Sequence, residues 1–233
     1  MIRAILFDMG GTLDGDGRHW LDRFVDFYRA SGVTLPRETL RAAFDAAEAS
    51  LAQDDEIAQC GIDEMVTRHV RCQFRHLGMD APADAVAARI AGGFVHSVRA
   101  ATAVNRPLLG ELKERGFVLG VVSNGCGNVE HLCQEFGYLP FLSVVVDSRR
   151  AGVSKPDPRI FESAVTQLGV PASETLAVGD SFDRDIVPAR RAGLQTAWLQ
   201  PDANRAPPDP SLVDFHLTSL ASLSACLPAL ARA

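Results

Sequence analysis

The 233-residue sequence predicts an α/β fold, a doubly wound (Rossmann-like) parallel sheet core with a helical domain inserted after the first strand. Three observations predict it. Short apolar runs bounded by turn residues recur at 3–7, 117–122, 142–146, 175–178 and 195–199. Segments of helical periodicity lie between the later runs, and strand–helix alternation of that kind builds a parallel sheet. Between the first run and the second lies a long stretch, 18–104, with no strand pattern.

Taken in order, the first strand is the run Ala4-Ile5-Leu6-Phe7, which ends at Asp8. Amphipathic helical patterns follow at 19–30, 36–53, 63–77 and 83–103 and form the insert. The expected division is a core domain of residues 1–17 and 105–233 and a helical domain of residues 18–104. In KPDPRIFESAVTQLGV, Asp157 is placed to cap a helix, Pro158 suits its first position and Gly169 closes it. A further helix ends at Arg190-Arg191-Ala192-Gly193, with cations in its last turn and a glycine beyond. Residues 201–210, rich in proline and aspartate, read as a surface loop.

With 47% hydrophobic and 22% charged residues, the composition is that of a folded globular protein. A formal net charge of -6 gives no electrostatic footprint for nucleic acid. No apolar run approaches the roughly 20 residues that span a bilayer, and the chain opens on a strand without a signal-peptide pattern. The expectation is a cytoplasmic protein with neither nucleic acid nor membrane as partner. Cys60, Cys72, Cys126, Cys133 and Cys226 are scattered and never form a CxxC pair, so reduced and mostly buried thiols are expected.

Four features fall at the carboxyl ends of expected strands, where ligands of such sheets bind. Asp8 is followed by Gly10, Gly11 and Thr12. Ser123, Asn124 and Gly125 close the second strand, and a hydroxyl with free amides at such a turn can hold phosphate oxygens. Lys155 precedes a capped helix. Asp180 ends a strand and Asp185 follows five residues later, so the two carboxylates can converge; oxygen ligands with no His or Cys nearby favour Mg²⁺.

In this order the four features resemble the haloacid dehalogenase superfamily of hydrolases, whose helical C1-type cap lies where the insert lies here. The resemblance implies an enzyme, a Mg²⁺-dependent phosphatase acting on a small phosphorylated molecule. Asp8 is then similar to the nucleophile, Lys155 to the charge-compensating cation, and Ser123, Asn124 and Gly125 to the phosphate-binding loop. It further implies a metal site of Asp8, the Gly10 carbonyl, Asp180 and Asp185, with Asp185 binding directly or through water.

One position departs from the family pattern. Where most of these phosphatases carry a second aspartate that transfers the leaving-group proton, this chain has Gly10, and glycine removes general acid and base catalysis worth roughly 10²–10⁴-fold. Three readings follow. The protein is a phosphatase with a substitute acid (Asp14, Asp16 or His19) or a good leaving group; a metal-independent 2-haloacid dehalogenase, whose halide needs no proton; or a phosphate-binding protein with little turnover. Arg18, His19 and Arg75 are the expected cap contacts to substrate. Neither the substrate nor the oligomeric state is encoded in a readable motif.

Overall fold

The computed structural model describes residues 1–79 and 84–227. A six-stranded, wholly parallel sheet forms its centre: β1 (Ala4–Phe7), β2 (Val118–Ser123), β3 (Leu142–Asp147), β4 (Thr175–Gly179), β5 (Gln195–Leu199) and β6 (Phe215–Leu217), in the order β3-β2-β1-β4-β5-β6. The five expected strands agree with the first five to within a residue or two. β6 was not foreseen, because three residues are too few to show a period.

β1 pairs with β2 on one side and β4 on the other, with Phe7 level with both Val121 and Val178. All four β1 residues are buried, as a strand covered on both faces requires. Ile5 and Phe7 join the larger apolar core and Leu6 the smaller one on the opposite face, beside Val122, Val146, Ile160 and Phe161. The chain runs from β1 outward through β2 and β3 and then restarts at β4. The crevice beyond β1 and β4 is therefore the point where the winding reverses, the place where doubly wound sheets bind ligands.

Four helices lie between β1 and β2: α1 (Trp20–Ala30), α2 (Arg37–Leu51), α3 (Ile62–His76) and α4 (Asp84–Glu114). Ala83, the expected start of the fourth, lies outside the described residues. The expected end at residue 103 is passed, since α4 continues through Pro107 to Glu114 and packs on β2. The expected domain boundary thus falls inside one helix, and Pro107 did not stop it. The helices meet on an aromatic cluster in which Phe24 stacks on Phe94 at 4.1 Å and on His69 at 5.2 Å, each such pair worth about 0.5–1.5 kcal/mol beyond burial.

The remaining helices are α5 (Val129–Glu135), α6 (Ser148–Ala151), α7 (Arg159–Leu168), α8 (Val187–Arg191) and α9 (Leu223–Cys226). Asp157 accepts from the Arg159 amide at 3.0 Å ahead of α7, and Gly169 closes that helix at φ 68°. Residues 201–210 form a largely exposed loop. No disulfide forms; Cys60, Cys126 and Cys133 are buried, Cys72 is half-buried and Cys226 is exposed. Among the described residues no helix is long and apolar enough to cross a membrane.

Candidate active site

The carboxyl ends of β1, β2 and β4 bring Asp8, Ser123 and Asp180 to the rim of one crevice. Lys155, from the loop before α7, joins them through two short charge-assisted bonds. Its Nζ donates to Asp8 Oδ1 at 2.5 Å and to Asp185 Oδ1 at 2.7 Å. Asp185 is delivered by the wide turn Phe182–Ile186 and also accepts from the Ser181 amide at 2.9 Å, so both of its oxygens are engaged. Asp180 exchanges bonds with Thr12: the Thr12 hydroxyl donates to Asp180 Oδ1, and the Asp180 amide donates to Thr12 Oγ1, both at 3.1 Å.

Two glycines make this closeness possible. A Cβ on Gly11, whose φ is +93°, would stand 2.7 Å from the Asp180 carboxylate, and one on Gly179 would stand 2.3 Å from that of Asp185. Gly10 is different. Its φ of -75° and ψ of 110° suit any residue, and a Cβ would meet the Trp20 indole at ordinary contact distances, the nearest atom Nε1 at 3.5 Å. The backbone does not demand a glycine there.

Carboxylates this close and this buried resist ionisation. Burial, offset in part by Lys155 and reinforced by Asp185, pushes Asp8 from 3.8 up to about 7. Burial and then the neighbouring Asp8 and Asp185 hold Asp180 well above the usual carboxylate range. Burial would by itself push the Lys155 ammonium down, yet Asp185 and Asp8 more than offset it and hold it above its ordinary value.

The loop after β2 is built around Asp147 at the end of β3. Its carboxylate accepts from the amides of Gly127 (2.9 Å), Val129 (3.1 Å) and Arg149 (2.9 Å). The Ser123 hydroxyl faces the crevice and makes no hydrogen bond among the described residues. Asn124 spends its side chain elsewhere: Nδ2 donates to the Lys155 carbonyl at 2.9 Å and Oδ1 accepts from the Lys155 amide at 2.8 Å. It clamps the lysine loop to β2. The Gly125 amide is likewise engaged, donating to Ser148 Oγ at 3.1 Å.

The three candidate acids have distinct environments. Asp14 is buried, and its carboxylate accepts from the Gly11 amide (2.7 Å), Trp20 Nε1 (2.7 Å) and Arg23 (3.3 Å); burial raises its pKa, against the pull of Arg23. Its bonds fix the loop after β1. Asp16 turns toward the carboxy-terminal segment and accepts from the Leu220 amide at 2.7 Å. His19 lines the crevice, but its Nδ1 accepts from the Leu21 amide at 3.2 Å to cap α1, and burial, with Arg184 nearby, lowers its pKa. Protonating Nδ1 would cost the cap.

Arg18 and Arg75, expected as substrate contacts, do not line the crevice. Arg18 is paired with Asp26 at 2.5 Å in solvent, and Arg75 is exposed and donates to Cys72 Sγ at 2.9 Å. A charged side chain is cheapest where water solvates it. The helical wall of the crevice is instead made by Trp20, Phe44, Glu48 and Met65, with Arg184 and Asn128 from the core. These residues carry no motif. The cavity measures about 90 Å³, room for several waters or one compact metabolite.

Oxygens of Asp8, Asp180 and Asp185 lie within 4.8 Å of one another, a donor set that fits a small hard cation. A divalent ion would relieve the repulsion that raises Asp8 and Asp180. Between pH 3.8 and about 7 the folded protein holds a proton on Asp8 that the unfolded chain releases, so metal-free stability falls as pH rises through this window. Thermal unfolding in chelator is expected to show this fall, and Mg²⁺ to raise the melting temperature more above pH 7 than at about pH 5.5. An equal Mg²⁺ increment at both pH values would contradict it.

A buried carboxylate bonded to a buried lysine, with two further acids beside them, stands at the switch point of a doubly wound parallel sheet. The chain belongs to the haloacid dehalogenase-like hydrolases, whose family pattern matches residues 2–193, and is an enzyme of that kind. It is 32% identical over 216 residues to a glyceraldehyde 3-phosphate phosphatase of Methanopyrus kandleri, covering 86% of this chain and 84% of that one. A phosphoserine phosphatase of Thermus thermophilus is 33% identical over 118 residues, 48% of this chain and 47% of its own. A solved structure described as a dehalogenase shares the fold, with a TM-score of 0.68 at 19% identity over 99% of this chain and 98% of that one.

Proposed function

We propose that the protein is a Mg²⁺-dependent phosphatase that hydrolyses a small phosphorylated metabolite through an aspartyl-phosphate on Asp8. The observation that carries this reading is Lys155 Nζ bridging Asp8 and Asp185 beside the unbonded Ser123 hydroxyl. The family supports it, as do two relatives named as phosphatases.

Asp8 attacks phosphorus and the ester P–O bond breaks, releasing the alcohol. Water then attacks the same phosphorus, the P–O bond to Asp8 breaks, and phosphate leaves with the carboxylate restored. Ser123 and the backbone of its loop hold the phosphoryl oxygens, while Lys155 offsets the charge between an anionic nucleophile and an anionic substrate. Mg²⁺, held by Asp8, Asp180 and the Gly10 carbonyl, would supply further charge neutralisation. Asp185 accepts from Lys155 and the Ser181 amide and so positions the lysine; it would add acidic oxygen to the same donor set. Residues 18–104 serve as the cap that closes the crevice and excludes solvent.

Gly10 leaves no acid at the usual place, Asp14 and Asp16 are committed to backbone and indole donors, and His19 caps α1 through Nδ1 while burial holds its pKa down. The leaving-group proton therefore comes from solvent, and turnover depends steeply on the leaving group. Phosphate release from p-nitrophenyl phosphate in Mg²⁺ is expected to be much faster than from an alkyl phosphate. In Gly10→Asp, where a Cβ fits, the alkyl phosphate is expected to gain roughly 10–10³-fold. Equal rates in Mg²⁺ and chelator would refute the phosphatase reading, and halide release from 2-haloacids without metal would replace it with the dehalogenase one.

A further inference from the structure

The crevice carries two donors that the chain itself leaves without an acceptor. Among the described residues lining it, Lys155 and Arg184 bear a permanent positive charge. Lys155 is taken up between Asp8 and Asp185. Arg184 is exposed and stands in the turn Phe182–Ile186, where the Arg184 amide donates to Ser181 Oγ at 3.3 Å and fixes the backbone. Its guanidinium makes no hydrogen bond or ion pair among the described residues. Glu48, the other acid of the helical wall, is bonded to His69 instead.

His19, just ahead of α1, lines the crevice from the helical side and is half-buried. Its Nδ1 accepts from the Leu21 amide at 3.2 Å; a backbone amide can only donate, so the neutral ring carries its proton on Nε2. Burial and then the charge of Arg184 favour that neutral ring. The Nε2–H group has no acceptor among the described residues and is not closed to solvent. An arginine alone at a rim is ordinary, because water solvates it. A second donor beside it, fixed in its tautomer by a helix cap and left open to the crevice, is not explained by the chain's own packing.

Together the two residues offer one positive charge, a planar fork of N–H donors and one neutral N–H. That set complements a single carboxylate better than a doubly charged phosphate. The phosphate end lies deeper, where Asp8 and Ser123 are 8% and 6% exposed. We propose that Arg184 and His19 form a second anion subsite that takes a carboxylate of the substrate, so that the enzyme selects phosphate monoesters of hydroxy acids. The inference rests on the phosphatase reading for its phosphate end. Neither residue touches the reacting atoms; both set affinity and orientation.

The test uses phosphonocarboxylates with one, two or three methylenes, each against its carboxamide, equal in heavy atoms and not hydrolysable, by calorimetric titration in saturating Mg²⁺. In the wild type the best-fitting acid is expected to bind roughly tenfold or more tightly than its amide. In Arg184→Gln this ratio is expected to fall toward one, and Arg184→Lys, which keeps the charge without the fork, is expected to retain only part of it. His19→Asn keeps a capping oxygen for α1 but loses the Nε2 donor, and the ratio is expected to fall about threefold. A ratio of one at every spacer in the wild type, an unchanged ratio in Arg184→Gln or in a folded His19→Asn, or binding of no phosphonate would overturn the proposal. Should His19→Asn fail to fold, the exposed Arg184 decides. A preference for the acid without turnover of p-nitrophenyl phosphate would leave this subsite standing and remove the catalytic reading. Turnover with equal acid and amide affinities would do the reverse.

Discussion

Asp8→Asn is expected to lose phosphatase activity by on the order of 10⁵-fold or more, the scale seen when a covalent nucleophile is removed. The amide has the shape of the carboxylate but neither its charge nor its nucleophilicity. The fold is expected to survive. Asp8 is held at about 7 because the site disfavours its charge, so a neutral isostere relieves repulsion with Asp180 and Asp185. In chelator above pH 7, Asp8→Asn is therefore expected to melt at the wild-type temperature or higher, and its Mg²⁺ increment to shrink. Phosphate release and thermal unfolding on the same preparation check both halves. Substantial turnover in the folded variant would exclude Asp8 as the nucleophile.

Lys155→Met is expected to strike activity and stability together. Lys155 is 5% exposed, and its ammonium holds Asp8 and Asp185 at 2.5 and 2.7 Å. Removing one partner of a buried ion pair costs about 3–5 kcal/mol, because the other charges remain buried and unpaired. The loss should grow with pH as the carboxylates ionise, and Mg²⁺ should restore part of it by taking over the neutralisation. Activity is expected to stay low in saturating Mg²⁺, since Lys155 Nζ donates directly to Asp8 and no other cation would hold that carboxylate in the same position. Lys155→Arg is not a rescue, as the larger planar group does not fit a pocket shaped for a point donor. A variant as stable as wild type in chelator at pH 8 would show that the lysine does not hold the cluster together.

The same residues show where sequence reading stops. Asp8, Ser123, Lys155, Asp180 and Asp185 stand at the ends of apolar runs or just before a helix, and a parallel sheet gathers such positions on one rim. Asn124 was legible as a member of that loop, but its role was not, because its partner Lys155 is 31 residues away. Asp147, which shapes the Ser123 loop, showed only as an acid after an apolar run. Charge alone suggests Arg18 and Arg75 as cap contacts, yet both side chains stand in solvent away from the crevice. Glu48, Trp20 and Asn128 had no signal, since each acts through side chains that only packing brings near.

By itself the sequence determined the strand–helix alternation, the helical insertion after β1 and the acidic, lysine-bearing rim, because apolar period and turn chemistry are local properties of the chain. Tertiary structure alone decided that α4 runs through residue 104 into the core, that Gly10 is free to accept a side chain whereas Gly11 and Gly179 are not, and that Asp14 serves the loop. It also decided which helical residues line the crevice. Orientation and contact across tens of residues depend on how elements pack, and packing leaves no period in the sequence.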